Sequence, residues 1–156
     1  MDVLERGERY LRAAVELKAA PRAGWVGGMC SLPDEYGRVW RANGCPGDSG
    51  FDFTQVLGLV QGFRCDTSAL VPDCDDPGTE GYVANVVRKV LGEPNAYARP
   101  TFDHKGNANG WCVWHPSRPK REMGRCGGTR AEAWIAELEA KCGDTQAPGT
   151  KGGDDG

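Results

Sequence analysis

The spacing of apolar and polar residues near the start of the chain predicts an amphipathic helix. Five positions fall along one side of a helix that begins at Val3 and runs to about residue 20: Leu4, Leu11, Ala14, Val15 and Lys18. Asp2 and Glu5 fit a capping box at the start, and Pro21 prevents continuation. The pattern therefore predicts a helical segment over 1–21.

A second helix is predicted from Pro77 or Thr79 to Leu91. Its apolar residues recur as adjacent pairs every four residues, which makes one broad stripe: Tyr82, Val83, Val86, Val87, Val90 and Leu91. Asp76 is a good N-cap before a proline at the first helical position. Gly92 is a natural residue after the helix, and Pro94 stops it.

A hairpin and a third helix follow. Two strand-like runs, 97–104 and 110–116, flank the turn sequence "KGNANG", and a short third strand is predicted at 120–125. Thr129 and Glu132 form a capping box for a helix closed by Gly143. Its predicted buried stripe consists of Ala131, Trp134, Ile135, Leu138 and Cys142.

The segment between the first two helices has a weaker pattern. "AGWVGGMC" and "YGRVWRANG" are interpreted as strands, and the core contributors predicted there are Trp25, Met29, Val39 and Trp40. Residues 43–50 and 66–78 are rich in turn residues and are predicted to be loops. Residues 51–63 have apolar side chains at helical spacing, which favours a helix despite Gly58 and Gly62.

These elements predict an α+β fold in which an antiparallel meander is packed by two or three amphipathic helices. We expect one domain over 1–143, made of the first helix, a Gly-rich and loop-rich part at 22–76, and a helix–meander–helix unit at 77–143. Residues 144–156 have no large apolar side chain, so we expect a disordered tail.

Charge and hydropathy narrow the possible partners. The net charge of −3 and the pI of about 5.4 exclude a global cationic field that would attract nucleic acid or anionic membranes, although local patches remain possible. Apolar runs of about 18 residues are missing, and the charged first 20 residues do not resemble a signal peptide. We therefore expect a cytoplasmic protein with no membrane partner.

The seven cysteines are expected to be mostly reduced thiols that pack as small apolar side chains. Their odd number and the expected reducing compartment argue against a closed disulfide framework. Metal ligation and individual disulfides stay open as alternatives.

The sequence "GWCVWHP" at 110–116 decides between a strand and a metal site. In a strand, Trp111, Val113 and His115 share one face while Cys112 and Trp114 share the other. A C-x-x-H chelate needs a turn there, which the β-branched and aromatic residues disfavour. We therefore predict a strand and no cofactor, with a zinc site built from Cys112, His115, Cys126 and either His104 or Cys142 as the alternative.

Catalytic motifs are absent from the sequence. It contains neither a G-x-S-x-G elbow nor a Walker A loop, and "DCDDPGTE" lacks the order of a calcium loop. If the hairpin arms pair with 104 near 110 and 115 near 99, His104 and His115 are too far apart to act together. These observations predict that the protein is not an enzyme.

The segment 115–125 is the strongest local concentration of positive charge. Four cations stand against the single Glu122, and together with two neighbouring aromatic residues they form the predicted binding set: Arg118, Lys120, Arg121, Arg125, Trp111 and Trp114. The cations could hold phosphate while a tryptophan stacks on a base. A solvated loop is the alternative interpretation.

The C-terminal half resembles the small bacteriophage-encoded α-β-α sandwich accessory proteins. The resemblance covers 77–143 and rests on "GYVANVVRKVLG", the aromatic strand "GWCVWHP" and the final helix "GGTRAEAWIAELEAKCG". It implies a compact binding protein without a family active site, in the cytoplasm of a host cell, with defence inhibition as a possible role.

Three functions are therefore open. The first is a non-enzymatic protein that contacts a host protein through the Trp-rich and Gly-rich 25–45 segment. The second is a nucleotide or nucleic-acid binder that uses the basic 115–125 segment. The third is a zinc-stabilised module.

Overall fold

The chain forms two compact units, Met1–Val83 and Ala84–Gly156, in a computed structural model. The structure describes residues 2–43, 53–56, 63–64, 70–117 and 123–155, and in the last range it describes side chains from 124 to 143. The predicted α+β class is confirmed. The predicted single domain over 1–143 stays a prediction.

The first unit contains a helix, a small antiparallel sheet and the beginning of a second helix. Helix α1 is Val3–Glu16, and the sheet has the order β1 (Trp40–Ala42), β2 (Phe53–Gln55) and β3 (Phe63–Arg64). Helix α2, Pro77–Leu91, begins in this unit and ends in the second.

The second unit contains an antiparallel meander and the last helix. The strands are β4 (Tyr97–Phe102), β5 (Ala108–Trp114) and β6 (Met123–Gly127), paired in that order. Helix α3 is Arg130–Asp155, and it contacts all three strands. The predicted disordered tail, 144–156, falls on residues whose side chains the structure does not describe.

Aromatic residues form the core of the first unit. Trp25 and Phe53 are fully buried, with ring centroids 5.0 Å apart in an edge-to-face arrangement. Trp25, Met29 and Trp40 are buried as predicted, whereas Val39 is only half-buried. The helix predicted over 51–63 is wrong in the described residues, because Phe53–Gln55 pairs with Trp40–Ala42 and buries Phe53. Tertiary pairing overrides the local spacing here.

Helix α1 is shorter than predicted. Asp2 accepts the backbone N–H of Glu5 at 2.8 Å, as a capping residue should. The helix ends at Glu16, four residues early, because Lys18 adopts φ 51° and the Ala19 N–H closes back onto the Ala14 carbonyl.

The buried face of α1 also differs from the predicted stripe. The buried residues are Arg6, Gly7, Tyr10, Ala13 and Ala14, whereas Leu4 and Val15 are exposed. Arg6 can be buried because its Nε donates to Asp75 Oδ1 at 3.0 Å. A side chain at Gly7 would overlap Val71 and the Pro72 carbonyl, so α1 packs directly against these two residues at this position.

Helix α2 begins and ends as predicted. Asp76 Oδ2 accepts hydrogen bonds from the backbone N–H and the hydroxyl of Thr79, at 2.9 and 3.0 Å. Val83, Val86 and Val87 are buried, and Gly92 takes the positive φ, 66°, that ends the helix.

The register of the predicted hairpin is shifted by three residues. Tyr97 pairs with Trp114 and Thr101 with Gly110, so neither His104 with 110 nor His115 with 99 forms a pair. The turn lies earlier because Asp103 Oδ1 accepts the N–H groups of Lys105 and Asn107, at 2.8 and 2.9 Å. The third strand is Met123–Gly127 rather than 120–125.

Helix α3 begins at its predicted cap. Thr129 Oγ1 accepts the Glu132 N–H at 3.1 Å, while the Glu132 carboxylate accepts the Gly128 N–H at 2.8 Å. The predicted stripe is buried: Ala131, Trp134, Ile135, Leu138 and Cys142.

Candidate functional site

Strand β5 has two faces with different surroundings, as its alternation predicts. Val113 and His115 are buried, His115 contacts Glu137 of α3, and Arg130 of α3 lies 5.5 Å from the ring centroid of Trp111. Cys112 and Trp114 lie on the opposite face, toward Cys126 and Arg99. The prediction of an extended tract is therefore confirmed.

The face of the sheet away from α3 carries aromatic and cationic side chains. Tyr97 pairs directly with Trp114, and the Arg99 guanidinium lies 5.1 Å from the Trp114 ring centroid. Tyr97 is 42% exposed, Arg99 and Cys126 are exposed, and Trp114 is half-buried. We call Tyr97, Arg99, Trp114 and Cys126 the open face.

The basic sequence is attached to one end of the open face. Trp114 ends β5 and pairs with Met123, which begins β6. Both ends of the intervening segment are therefore joined to the sheet at the Tyr97–Trp114 pair. Arg118, Lys120 and Arg121 lie outside the described residues, and Arg125 in β6 is exposed. Of the predicted tryptophans, Trp114 is on the open face, whereas Trp111 faces α3.

A disulfide joins Cys112 and Cys126, which are directly opposite each other on β5 and β6. The expectation of reduced thiols is therefore wrong for this pair. Sequence spacing could not reveal it, because the pairing depends on the register of two strands. Cys30 and Cys74 carry free thiols, and Cys45 and Cys65 lie outside the described residues.

Cys74, in the first unit, has a buried thiol of low reactivity. Cys74 is fully buried, and burial, followed by the nearby Asp73 and Asp75 carboxylates, raises the pKa of its thiol to about 12. Because the thiolate is the nucleophile, Cys74 is unreactive in the folded protein.

The alternative zinc set is not brought together. Cys112 and Cys126 are bonded to each other, His115 lies on the other face under α3, and His104 is exposed in the hairpin turn. Over the described ranges, no group of three or more His, Cys, Asp or Glu side chains is placed to hold a metal ion.

A buried His–Glu pair closes a bulge in β6. The register shifts between Cys112 and Trp114, so two residues, Gly124 and Arg125, lie opposite Val113. The Arg125 N–H donates to Glu137 Oε1 at 2.6 Å, and His115 Nε2 lies 3.1 Å from the same oxygen. Any side chain at position 124 would overlap Glu137, His115 and the Val113 carbonyl.

The pair is structural rather than catalytic. The side chains of His115 and Glu137 are 0% and 6% exposed, so a substrate does not reach them, and His115 Nδ1 has no hydrogen-bond partner among the described residues. Glu137 satisfies the N–H that the bulge frees. Sequence reasoning missed this pair, for which the only signal was an acidic residue beside the apolar stripe of α3.

The 32–40 segment of the first unit is organised by Asp34. Its carboxylate accepts the N–H groups of Tyr36 and Arg38, at 2.9 and 2.8 Å, and the indole N–H of Trp40 at 3.0 Å. Burial alone would raise the pKa of Asp34, but these hydrogen bonds and the Arg38 side chain hold it well below its usual range. Tyr36 remains 72% exposed, with the Arg38 guanidinium 4.7 Å from its ring centroid.

The tryptophans of the predicted 25–45 interface are not available for a partner. Trp25 is 0% exposed and Trp40 is 4% exposed, so both belong to the core. Tyr36 is the large aromatic side chain that this segment, as far as it is described, presents to solvent.

No protein-family model, curated protein or solved structure matches the chain. The resemblance to phage accessory proteins therefore stays a hypothesis. In the part of the chain that the structure describes, no helix is both long and apolar enough to cross a membrane.

Proposed function

We propose that this is a non-enzymatic binding protein whose open face holds a phosphate-bearing aromatic ligand, either a nucleotide or a short single-stranded nucleic acid. One observation carries the proposal. Tyr97 and Trp114 are paired across two strands with Arg99 against the tryptophan ring, and all three side chains are at least partly exposed.

The chemistry of these groups matches such a ligand. Flat aromatic rings on a rigid sheet stack on bases, and each stacked base contributes about 1–3 kcal/mol. The guanidinium of Arg99 offers paired N–H donors to phosphate, and it is attached to the same rigid surface. The sequence between Trp114 and Met123 contains Arg118, Lys120 and Arg121, which are further candidates for phosphate contacts.

For ligand binding, the arrangement of side chains on the open face matters more than the overall charge of the protein. The protein has a net charge of −3, which gives no long-range attraction for a polyanion. Binding therefore depends on stacking and a few phosphate contacts, so we expect short ligands and a shallow salt dependence. For single strands, each phosphate neutralised contributes about 0.7 to the logarithmic slope.

Fluorescence anisotropy with labelled single-stranded oligonucleotides and with labelled nucleotides, at low and high salt, tests the proposal. Trp114→Ala removes the stacking surface and should weaken binding by about 5- to 150-fold, which corresponds to about 1–3 kcal/mol. Arg99→Ala should weaken binding and reduce the salt slope. The oligonucleotide and nucleotide measurements distinguish the two ligand sizes.

Tyr36→Ala is the matched control. Tyr36 is also an exposed aromatic ring beside an arginine, but it belongs to the first unit and lies in a turn rather than in a strand. It should leave binding unchanged. The proposal fails if the wild-type protein binds neither probe at low salt, or if Tyr36→Ala weakens binding as much as Trp114→Ala.

Contact with a host protein is the second candidate function. It keeps the phage-type role of an inhibitor in a host cytoplasm, and the exposed Tyr36 is the observation that favours it. It ranks second because Trp25 and Trp40, which motivated it, are buried. A pull-down with the wild-type protein and Tyr36→Ala decides: a specific partner lost in the variant supports this function, and recovery of nothing specific excludes it.

A further inference from the structure

We propose that the Cys112–Cys126 disulfide is a site of directional thiol–disulfide exchange, at which a low-molecular-weight thiol attacks Cys126 and releases strand β6. This inference is independent of the proposed ligand, because it concerns the covalent chemistry of the sheet. It rests on the difference in exposure between Cys112 and Cys126, the two bonded residues.

The first observation is that only one of the two cysteines is accessible. Cys112 is 1% exposed, in the central strand β5, whereas Cys126 is exposed, in β6. A disulfide is attacked by a thiolate, and access decides which sulfur receives it. An incoming thiolate therefore forms its bond to Cys126 Sγ, and Cys112 becomes the leaving group.

The second observation concerns the leaving group. Arg99 pairs directly with Cys112 across β4 and β5, so the two side chains share a face with Cβ atoms about 4.5–5.5 Å apart. The guanidinium stays on this face, because it packs against the Trp114 ring at 5.1 Å. Burial disfavours a Cys112 thiolate, and a cation on the same face offsets part of this cost, so that the thiolate leaves faster than it would without Arg99.

The exchange balances with two thiols. A thiolate RS⁻ attacks Cys126 Sγ, the bond between the two cysteines breaks, and Cys112 leaves as a thiolate that takes up the proton lost by RSH. A second RS⁻ attacks the sulfur of the attached R group, which gives RSSR and a Cys126 thiolate that is protonated in turn. Two electrons pass from the two thiols to the protein.

Opening the disulfide should act mainly on β6. This strand is at one side of the described sheet, and its register against β5 is interrupted by the bulge at Gly124 and Arg125. The crosslink closes a loop with a sequence separation of 14, which contains the basic sequence. Without it, β6 is held by its backbone pairing, by the hydrogen bond from Arg125 to Glu137 and by its contacts with α3.

The test uses the full wild-type chain with reduced glutathione in oxygen-free buffer, where free thiols cannot gain an adduct. Acid quenching and peptide mass mapping should find the mixed disulfide on Cys126, and Arg99→Ala should slow its formation by about threefold. Cys30→Ser is the matched control, and it should change neither the site nor the rate. An adduct mainly on Cys112, or a disulfide that stays intact, would overturn the proposal.

Hydrogen exchange gives the structural readout. After reduction, the amides of Met123–Gly127 should exchange about tenfold faster or more, while those of α1 keep their protection. The double variant Cys112→Ser/Cys126→Ser should reproduce this pattern without any thiol. Equal acceleration throughout the chain, or none in β6, would refute the release of this strand.

Discussion

An aromatic pair in the first unit and an aromatic pair in the second have opposite surroundings. In the first unit, Trp25 and Phe53 meet edge to face and are fully buried. In the second unit, Tyr97 and Trp114 pair across two strands, and the tyrosine is 42% exposed. The first pair therefore belongs to a core and the second to a surface, while Trp134 is buried in the second unit and Tyr36 is exposed in the first.

The difference shows why an abundance of tryptophan does not locate a binding site. A buried indole contributes to stability through packing and the removal of apolar area from water. A half-buried indole on a rigid strand keeps part of its ring available, and here it has the Arg99 guanidinium beside it. Substitutions in the two units should therefore separate stability from binding.

The largest expected effect comes from Trp25→Ala in the first unit. Removing a fully buried indole should lower the free energy of unfolding by about 3–5 kcal/mol, because a cavity remains where Trp25 contacts Phe53. Trp114→Ala should lower it by only about 1 kcal/mol, because its side chain is already partly exposed. Urea denaturation measures both values. Equal losses of stability in the two variants would erase the distinction between the units.

Gly124→Ala tests the β6 bulge of the second unit, which Glu137 and His115 close with hydrogen bonds. The added methyl group overlaps the Glu137 carboxylate, the His115 ring and the Val113 carbonyl, so we expect a loss of about 1–3 kcal/mol in the free energy of unfolding. Thermal and urea denaturation give the value.

The control for that variant is Gly81→Ala. Gly81 lies in α2 with open space where a Cβ would be placed, so alanine should stabilise the protein by about 0.5–1 kcal/mol. If Gly124→Ala is as well tolerated as Gly81→Ala, then the bulge does not require glycine.

Local signals predicted most helix boundaries and the presence of the hairpin. Capping residues and apolar stripes marked the start of α1, both ends of α2 and the start of α3, because these signals act within a few residues of the chain. The alternation in "GWCVWHP" predicted the two faces of β5.

The errors arose where distant residues decide the structure. Arg6 is buried in α1 because Asp75, far along the chain, pairs with it, and periodicity alone assigns an arginine to the solvent side. The strand at Phe53 depends on pairing with Ala42. The three-residue error in the hairpin register, by contrast, came from a local contact, because the Asp103 side chain accepts N–H groups two and four residues further on.

The candidate site was predicted in part. Trp114 and Arg125 are exposed or half-exposed as the hypothesis required, but Trp111 lies toward α3, and Tyr97 and Arg99 were not expected. Their place in the site depends on the strand register, which pairs Tyr97 with Trp114 and Arg99 with Cys112. The disulfide was missed for the same reason.

A further effect on stability concerns Cys74 and depends on pH. The pKa of Cys74 is raised from 9.0 to about 12 in the folded protein, so above pH 9 the unfolded chain loses this proton first. The contribution is fully present below pH 9 and is lost as the pH rises toward about 12, with a slope of at most about 1.4 kcal/mol per pH unit. Urea denaturation of wild type and Cys74→Ala between pH 8 and pH 10.5 measures it together with the coupling to Tyr10, because burial and then Cys74 raise the pKa of that phenol.

Chemical labelling makes the same comparison between units without changing the sequence. Iodoacetamide at pH 8 should not modify Cys74 in the folded protein, because its thiol is buried and protonated. After reduction, Cys126 should be modified readily, since it is exposed. Peptide mass mapping ranks the two rates. Modification of Cys74 as fast as Cys126 would mean that the interior of the first unit is as accessible as the open face, and the contrast between the units would not hold.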